Sequence, residues 1–377
     1  MKKIVTYKFH LKPTTSQCKR IDRWIGACRY VYNLAKETKE YAYQSQGISL
    51  GKFDLIKQLP PLKDIEWIKD VDAQALQNVM KRLDLSYQKF FDGAGYPKWA
   101  NKYKYNSFTQ SKGRIFDAGI LNVPKLGNIK FKDTRGLSQL TKIKTVTIKK
   151  EGNRYFASIV CEVNIKPKKQ ADSVIGIDMG VSNFYATSEG ELHDAPMFYK
   201  ENKKKLRILQ RKLARQKKFG SNWNKTKKQI QKLHTKIANS RKDYQQKIST
   251  NLINENQVIV IEDLKVKNMT KSAKGNAEEP GKMVKQKSGL NRSILDNAFS
   301  SFFTMLEYKA DWYGREVIRV NPAYTSQTCN SCGEVSKESR KKQKFKCTSC
   351  GHTDNADINA AKNILEKGYL HSRQRRA

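Results

Sequence analysis

The chain has 377 residues, a length that suits two to three compact units, and carries 74 lysines and arginines against 35 acidic residues. The formal net charge of +39 exceeds what solubility requires and indicates a polyanionic partner, nucleic acid. The sequence contains no run of about 18 apolar residues, so no membrane-spanning helix is expected. The basic start MKKIVTYKFHL lacks the apolar core of a secretory signal.

The first half of the chain predicts a strand, two helices and then a β-rich region. Residues 3–11 alternate polar and apolar side chains, as a strand does, and apolar residues recur at helical spacing over 21–35. A second helix is predicted over 72–91, with Asp72 as its N-cap. Residues 105–168 predict strands, the last two joined by a turn at Gly152 and Asn153.

The second half mixes strands with helices. A long basic helical pair is predicted over 199–250 with a break at Gly220. Residues 270–289 are rich in Lys, Gly and Ser without apolar periodicity, which predicts a flexible loop. The remaining predicted elements are two strands within 174–190, a strand at 258–264, a helix at 291–312 and a strand at 316–320.

Four of the seven cysteines form two CxxC pairs separated by fourteen residues, and the pairs are Cys329 with Cys332 and Cys347 with Cys350. Each pair presents two thiolates, and four thiolates close a tetrahedral zinc site. A glycine follows each pair, as knuckle turns require. Two pairs at this spacing disfavour a redox CxxC, so we expect a zinc ribbon. The other three cysteines, which we expect to be buried thiols, are Cys18, Cys28 and Cys161.

Three acidic residues lie at the ends of predicted elements. Asp178 ends the apolar strand VIGIDMG, Glu262 ends VIVIED, and Asp357 follows the cysteines in DNADINAAKNI. Each acid alone is more often structural, but their joint order along the chain is much less expected by chance. Three carboxylates at strand ends and a helix start can gather around two divalent ions. Hard oxygen ligands favour Mg²⁺ or Mn²⁺.

Asp354 competes with Asp357 for the third position of this set. Asp357 shares one helical face with Ile364 and with Ala360 or Ala361, which would direct its carboxylate over the edge of the sheet. We therefore assign Asp357 to the metal and expect Asp354 to be the N-cap of the helix.

Residues 200–247 contain eighteen Lys or Arg side chains, interleaved with Trp223 and Tyr244. A solvated helical hairpin is the alternative, but few acids offset the charge, which favours contact with phosphates. Candidate contacts here are Lys203, Arg207, Arg211, Arg215 and Lys227, and Lys98 is a further candidate nearer the N-terminus.

The chain resembles the TnpB family, the transposon-encoded nucleases related to compact type V CRISPR effectors. The resemblance covers nearly the whole sequence. It rests on GIDMGVSNF around Asp178, on IEDL at Glu262 and on YTSQTCNSCG…FKCTSCGHTDNADINAAKNI, supported by LEYKADWYGREV and ACRYVYNLAKE.

The resemblance implies an α/β multidomain fold. Residues 1–10 and 95–170 would form a β-barrel-like wedge domain, with an α-helical recognition domain inserted at 11–94. An RNase H-like (RuvC) nuclease domain would span 171–377, with the zinc ribbon inserted at about 325–352.

The resemblance also implies an RNA-guided DNA endonuclease in the cytoplasm of a prokaryote, associated with the nucleoid and not with a membrane. A guide RNA would select double-stranded DNA by base pairing, next to a short motif read by the protein. The matching catalytic positions are Asp178, Glu262 and Asp357. The motif-reading helix corresponds to DAQALQNVMKRL, where the amides of Gln74, Gln77 and Asn78 suit base edges.

Three other functions share some of these features: a guide-dependent repressor that binds DNA without cutting, an RNase H-like transposase, and a zinc-ribbon RNA-binding protein. The three acids disfavour the first and the third. The ribbon placed before the last Asp, without a separate DNA-binding module, disfavours the transposase.

Overall fold

The computed structural model describes residues 2–111, 114–116, 119–134, 142–276 and 278–374. Parts of the predicted β-rich region, at 112–113, 117–118 and 135–141, and the last three residues of the predicted nuclease domain lie outside the described residues. The chain divides into two compact units, Met1–Ile165 and Lys166–Ala377, each with its own mixture of helices and strands. It is therefore an α/β protein of more than one domain.

The first unit contains a seven-stranded antiparallel sheet in the order β2-β6-β7-β1-β5-β4-β3. Its strands are β1 (Lys2–Lys12), β2 (Ser107–Gln110), β3 (Arg114–Phe116), β4 (Ile120–Val123), β5 (Gly127–Phe131), β6 (Lys142–Glu151) and β7 (Arg154–Asn164). The predicted strand at 3–11 is confirmed, because Val5, Phe9 and Leu11 on one face are buried. The predicted turn is confirmed as well, since β6 and β7 pair on either side of Gly152 and Asn153.

Five helices lie between β1 and β2: α1 (Thr15–Gln46), α2 (Lys52–Lys57), α3 (Leu59–Leu62), α4 (Glu66–Lys69) and α5 (Ala73–Phe91). Helix α1 is longer than predicted and ends where Gly47 adopts a left-handed conformation, φ 67°. Helix α5 confirms the predicted N-cap, because the Asp72 side chain accepts a hydrogen bond from the Gln74 N–H. The prediction for Cys18 was wrong, since it is half-buried, whereas Cys28 and Cys161 are buried.

The second unit is built on a five-stranded sheet in the order β10-β9-β8-β11-β12. The strands are β8 (Val174–Met179), β9 (Asn183–Thr187), β10 (Leu192–Asp194), β11 (Val258–Glu262) and β12 (Glu316–Val320). Strands β8, β11 and β12 are parallel, whereas β9 runs antiparallel to β8 and β10 antiparallel to β9. The carboxyl ends of β8 and β11 therefore meet at one edge of the sheet.

Helices cover both faces of this sheet. The described helices of this unit are α6 (Phe198–Ala214), which packs on α7, and α7 (Ser221–Glu255), α8 (Val266–Met269), α9 (Val284–Asn297), α10 (Phe299–Tyr313) and α11 (Ala356–Gln374). Ile175 and Ile177 pack on one face with residues of α7, α9 and α10, whereas Val260 packs on the other with Ile364 of α11. The basic helical pair is confirmed as α6 and α7, with its break at 215–220.

The predicted helix at 291–312 was wrong in its limits. The structure has two helices, α9 and α10, that meet at Ala298, whose φ of 50° interrupts the helical geometry. Helix α9 also begins at Val284, inside the segment predicted to be a loop. Its first turns are rich in lysine and polar residues, so they carry no apolar periodicity that would have predicted a helix.

Helix α11 lies very close to the sheet because two glycines have no side chain. A Cβ on Gly176 of β8 would lie 2.3 Å from the Ala361 carbonyl oxygen, and one on Gly368 would lie 2.5 Å from Val260 Cγ2. This close approach fixes the position of the start of α11 relative to the ends of β8 and β11.

Between β12 and α11 the chain forms a small three-stranded sheet of β13 (Arg340–Lys341), β14 (Lys344–Lys346) and β15 (Thr353–Asn355). None of the described helices combines the length and apolar character needed to cross a membrane.

Candidate active site and metal centre

Asp178 and Glu262 lie side by side at the edge of the sheet. The parallel pairing of β8 and β11 reaches Ile177 opposite Ile261, so the two acids are the next residues on each strand. Side chains alternate along a strand. Asp178 therefore lies on the same face as Gly176, and Glu262 on the same face as Val260, which is the face that α11 covers.

Asp357 reaches the same place from the first turn of α11. The Asn355 side chain accepts hydrogen bonds from the N–H groups of Asp357 and Ile358, at 2.9 and 3.4 Å, and so caps the helix. The prediction that Asp354 is the N-cap was therefore wrong. Asp354 instead accepts hydrogen bonds from the Asn355 N–H and the Lys362 ammonium, because it lies in β15 before the helix begins.

The three acids line one cleft of about 510 Å³. Side chains from other parts of the chain hold two of them. The Thr325 hydroxyl donates to Glu262 Oε1 at 2.5 Å, Arg340 Nη2 donates to Asp357 Oδ1 at 2.9 Å, and Asn183 Nδ2 donates to Asp357 Oδ2 at 3.2 Å. No local sequence pattern predicts these three partners, which lie 63, 17 and 174 residues from the acids they contact.

The cleft is an unfavourable place for unpaired negative charge. Burial, together with the nearby carboxylates of Glu262 and Asp357, raises the pKa of Asp178 to about 8. Burial also raises the pKa of Glu262, against the opposing effect of its hydrogen bond from Thr325. Groups of this kind gain free energy from a cation beside them.

The donor set of the cleft consists of carboxylate oxygens, the ligands that hard divalent cations such as Mg²⁺ prefer. Among the residues that the structure describes, only the four cysteines form a group of three or more candidate ligands gathered around one point.

The four cysteines come together at the other metal-binding candidate. Their Sγ atoms all lie within 4.8 Å of one another, with Cys329 and Cys350 at 3.8 Å and Cys332 and Cys347 at 3.6 Å. A tetrahedron with Zn–S bonds of about 2.3 Å has edges of about 3.8 Å, so the spacing fits zinc. Backbone N–H groups of Cys350 and Ser349 lower the pKa of Cys347 to about 6, which favours the thiolate.

The predicted knuckle turns are present. Gly333 and Gly351 have φ values of 78° and 74°, and each N–H donates to the carbonyl of the first cysteine in its pair. This left-handed conformation is the one that glycine adopts without strain. The turns aim both thiolates of a pair in one direction, which is why the spacing in sequence predicts the cluster in space.

The candidate motif-reading residues lie along α5 in the first unit. Gln77 is exposed, whereas Gln74 accepts a hydrogen bond from Ser111 Oγ and Asn78 accepts one from Arg82 Nε. Only Gln77 of the three therefore presents its amide without an intramolecular partner among the described residues. Lys98 is exposed in the loop that follows α5.

The candidate phosphate contacts lie on the basic helical pair of the second unit. Lys203, Arg207, Arg211 and Arg215 are all exposed on α6 or at its end, and Lys227 of α7 is half-buried, its ammonium 4.8 Å from the Trp223 ring. These cations share one helical pair, which lies between Asp178 and Glu262 in the sequence.

Three family models match the chain. Residues 1–47 match a helix-turn-helix domain model, residues 158–273 match a model described as a probable transposase of the IS605 OrfB type, and residues 299–364 match the TNB domain of Cas12f1-like proteins. In this chain the described part of the first segment forms β1 and one continuous helix, α1, and not two helices joined by a turn.

Relatives match over almost the full length. The chain is 38% identical to "Putative RNA-guided DNA endonuclease InsQ" of Escherichia coli K12, over 98% of this chain and 93% of the relative. It is 29% identical to a "Putative RNA-guided DNA endonuclease" of Streptomyces pristinaespiralis, over 96% and 89%. The fold is similar to that of the protein in a Cas12f1–sgRNA–target DNA complex, with a TM-score of 0.57 at 14% identity over 97% and 98%.

Proposed function

Because the chain belongs to the TnpB (IS605 OrfB) family, we propose that it is an RNA-guided DNA endonuclease that cuts DNA at the cleft lined by Asp178, Glu262 and Asp357. The observation that carries the proposal is the meeting of these three acids, from two strands and a helix, in one cleft of a chain whose net charge is +39.

The fold of the second unit supports an RNase H-like (RuvC) domain. Three strands in the sequence β8, β9, β10 form an antiparallel group, and β11 and β12 then add to the other side of β8 in parallel. The first and fourth strands each carry an acid at their carboxyl end, and a C-terminal helix provides the third. This is the arrangement that the family resemblance implies for RuvC.

In the proposed mechanism the three carboxylates would hold Mg²⁺ or Mn²⁺. Two such ions would supply a lowered pKa to the attacking water and positive charge to the leaving oxygen of the phosphodiester. Thr325 holds the Glu262 carboxylate in place, and Asn183 and Arg340 hold that of Asp357. Arg340 also lines the cleft, where its guanidinium would provide positive charge to a bound phosphate.

We propose that the four cysteines bind structural Zn²⁺. The sulfur spacing fits a zinc tetrahedron, and the small sheet of β13–β15 has few buried apolar side chains to hold it together: Phe345 and Ala356 are the non-cysteine members of its core. Zinc would therefore replace a hydrophobic core here. Because β13 also carries Arg340, the metal would fix the position of that guanidinium.

The remaining assignments rest on the family. We propose three domains: a wedge domain at 1–10 and 95–170, a recognition domain at 11–94 and a nuclease domain at 171–377. In this division the guide RNA and the double-stranded target DNA would contact both units. Gln74, Gln77 and Asn78 are proposed to read the DNA motif, and the exposed cations of α6 to contact phosphates.

The test uses the protein purified together with its RNA. Sequencing of that RNA identifies the guide, and a plasmid that carries the matching target next to a randomised flank is then incubated with Mg²⁺. We expect cutting of matched plasmids that share a short flanking motif, and none with a scrambled target or in EDTA. Cutting that ignores the guide match, or binding without any cutting in Mg²⁺ or Mn²⁺, would overturn the proposal.

A further inference from the structure

Two buried asparagines on α11 have no role in the mechanism above. Asn359 and Asn363 are 0% and 3% exposed, although asparagine is mostly an exposed residue in folded proteins. They lie four residues apart on the helix, so their side chains share one face. Asp357, the acid that α11 brings to the cleft, comes two residues before Asn359. The acid and the two asparagines are therefore parts of one rigid element.

The two asparagines fasten the start of the ribbon to the helix. Asn363 Nδ2 donates to the carbonyl oxygens of Thr325 and Thr328 at 2.9 and 2.7 Å. Asn359 Nδ2 donates to the same Thr328 oxygen at 2.8 Å, and its Oδ1 accepts from the Asn330 N–H at 3.1 Å. A carbonyl oxygen has two lone pairs, so that of Thr328 can accept both bonds. We call Asn359 and Asn363 the asparagine clamp.

The clamped segment, residues 325–330, connects the two candidate metal sites. At its start, the Thr325 hydroxyl donates to Glu262 Oε1 at 2.5 Å. Near its end, Cys329 belongs to the four-cysteine cluster, with its Sγ 3.8 Å from that of Cys350. A shift of this segment would therefore move a partner of a cleft acid and a zinc ligand together.

The clamp acts on both ends of the segment. Asn363 bonds the backbone of Thr325, whose hydroxyl holds Glu262. Asn359 bonds the two residues that flank Cys329. Thr325 and Glu262 are 3% and 7% exposed, and closely packed interiors transmit displacements because they compress little. A change at the cysteines should thus reach the Glu262 carboxylate.

A second contact joins the ribbon to the cleft. Arg340 of β13 donates from Nη2 to Asp357 Oδ1 at 2.9 Å, and β13 lies between the two cysteine pairs in the chain. The ribbon thus contacts Glu262 through Thr325 and Asp357 through Arg340. A closed cysteine cluster would hold both contacts in place, whereas an open one would leave the ribbon with only its small core.

We propose that the asparagine clamp couples the four-cysteine site to the acidic cleft, so that a divalent ion in either site strengthens the binding of an ion in the other. The inference rests on the proposed functions of the cleft and the cysteines, and it adds Asn359 and Asn363 as positioning residues. Coupling between binding sites is reciprocal. Mg²⁺ should therefore tighten zinc binding by the same factor by which zinc tightens Mg²⁺ binding.

The test measures the zinc affinity of the purified protein–RNA complex, by competition with a chelator that does not bind Mg²⁺. Each measurement is made with and without Mg²⁺ at the concentration that saturates cleavage. The main variant is Asn363→Leu, which removes the amide at similar side-chain volume. Asn359→Ser is the second variant, because it leaves the bonds of Asn363 in place. Thermal unfolding confirms that each variant is folded.

The matched control is Asn256→Leu, which removes a buried amide at the other end of the sheet. Asn256 is also 3% exposed. Its Nδ2 donates to the Leu252 carbonyl oxygen at 3.1 Å, and its Oδ1 accepts from Ser173 Oγ at 2.6 Å. It comes just before β11, whereas Glu262 ends that strand. A role of the clamp in stability alone predicts equal effects of Asn363→Leu and Asn256→Leu on every measurement.

For the wild type and for Asn256→Leu, Mg²⁺ should raise the zinc affinity by about fivefold or more, the scale of coupling between sites. Mg²⁺ should leave the zinc affinity unchanged in Asn363→Leu, and also in Asp178→Asn, whose cleft lacks a ligand. Asn363→Leu should also need about fivefold more Mg²⁺ for half-maximal cleavage of a guided target, with DNA binding unchanged. Asn359→Ser should show a smaller loss of the same kind.

A wild-type zinc affinity that does not respond to Mg²⁺ would overturn the coupling and, with guided cleavage intact, leave the nuclease function standing. This comparison requires no variant. A response that persists in Asp178→Asn, or that Asn256→Leu and Asn363→Leu lose equally, would overturn the role of the clamp. Protein that holds no zinc would overturn the zinc site, and a wild-type complex that cuts no matched DNA at any Mg²⁺ concentration would overturn the nuclease function itself.

Discussion

Replacement of Gly176 by alanine should separate α11 from the sheet and so disturb the active site from a distance. The added Cβ would lie 2.3 Å from the Ala361 carbonyl oxygen and 2.8 Å from both the backbone nitrogen and the Cβ of Leu365. Two of these three atoms belong to the backbone of α11, so no side-chain rotation relieves the clash. The helix must retreat by about 1 Å to restore an ordinary contact of at least 3.4 Å.

This movement of α11 should lower both the free energy of unfolding and the cleavage rate. Overpacking of a well-filled core costs about 1–3 kcal/mol of the free energy of unfolding. Asp357 lies one helical turn before Ala361, so its carboxylate moves with the helix while Asp178 stays on the strand. A misplacement of about 1 Å in a catalytic group can cost about 100-fold in rate.

The assay pairs chemical denaturation with guided plasmid cleavage. Gly289→Ala in α9 is the control, because its Cβ would meet no atom within 4 Å and an alanine in a helix is worth about 0.5–1 kcal/mol over glycine. The Gly176 variant should lose both stability and rate, whereas the control should gain stability. A Gly176→Ala protein as stable and as active as the wild type would refute the close packing of α11 on β8.

Three further predictions address the metal centre, the charge and the cleft. Cys332→Ser should reduce bound zinc from about one per chain to well below that, measured by metal analysis. Replacement of Arg207 and Arg211 by glutamine should lower the slope of log Kd for RNA against log salt by about 1.4, since each cation that no longer neutralises a phosphate accounts for about 0.7, measured by filter binding. The raised pKa of Asp178, about 8, means that the folded chain binds more protons than the unfolded chain. Without divalent cations in the cleft, stability should therefore fall as pH rises from about 4 to 8. Asp178→Asn should weaken that dependence in denaturation curves, and the remainder should come from Glu262, whose pKa is also raised by burial.

Much of the fold follows from local patterns in the sequence. The N-cap at Asp72, the turn at Gly152 and the knuckle glycines each need only a few neighbouring residues to define their geometry. The ends of β8 and β11 were equally predictable, because apolar runs that stop at an acid mark where a buried strand reaches the edge of the sheet.

The features that were not predicted depend on contacts between residues that are distant in sequence, or on packing that leaves no periodic pattern of apolar residues. The break at Ala298 lies within an apolar stretch that suits one continuous helix, and Phe299 and Phe302, which follow it, are buried in the core on the sheet. Asn183 and Thr325 lie in the segments GIDMGVSNF and YTSQTCNSCG, but the local pattern assigns neither a role. Each acquires its role only when folding brings it to Asp357 or Glu262.

Cleavage by the Asp178→Asn and Glu262→Gln complexes tests most directly whether the acidic cleft is the nuclease site. Both variants should bind guide RNA and matched DNA as the wild type does, because affinity comes from base pairing and the basic surface. Their cleavage rate in Mg²⁺ should fall by well over 100-fold, whereas Thr325→Val, which removes only the hydroxyl that holds Glu262, should lose about 10–100-fold. Cleavage by either acid variant at close to the wild-type rate would contradict the assignment of the site.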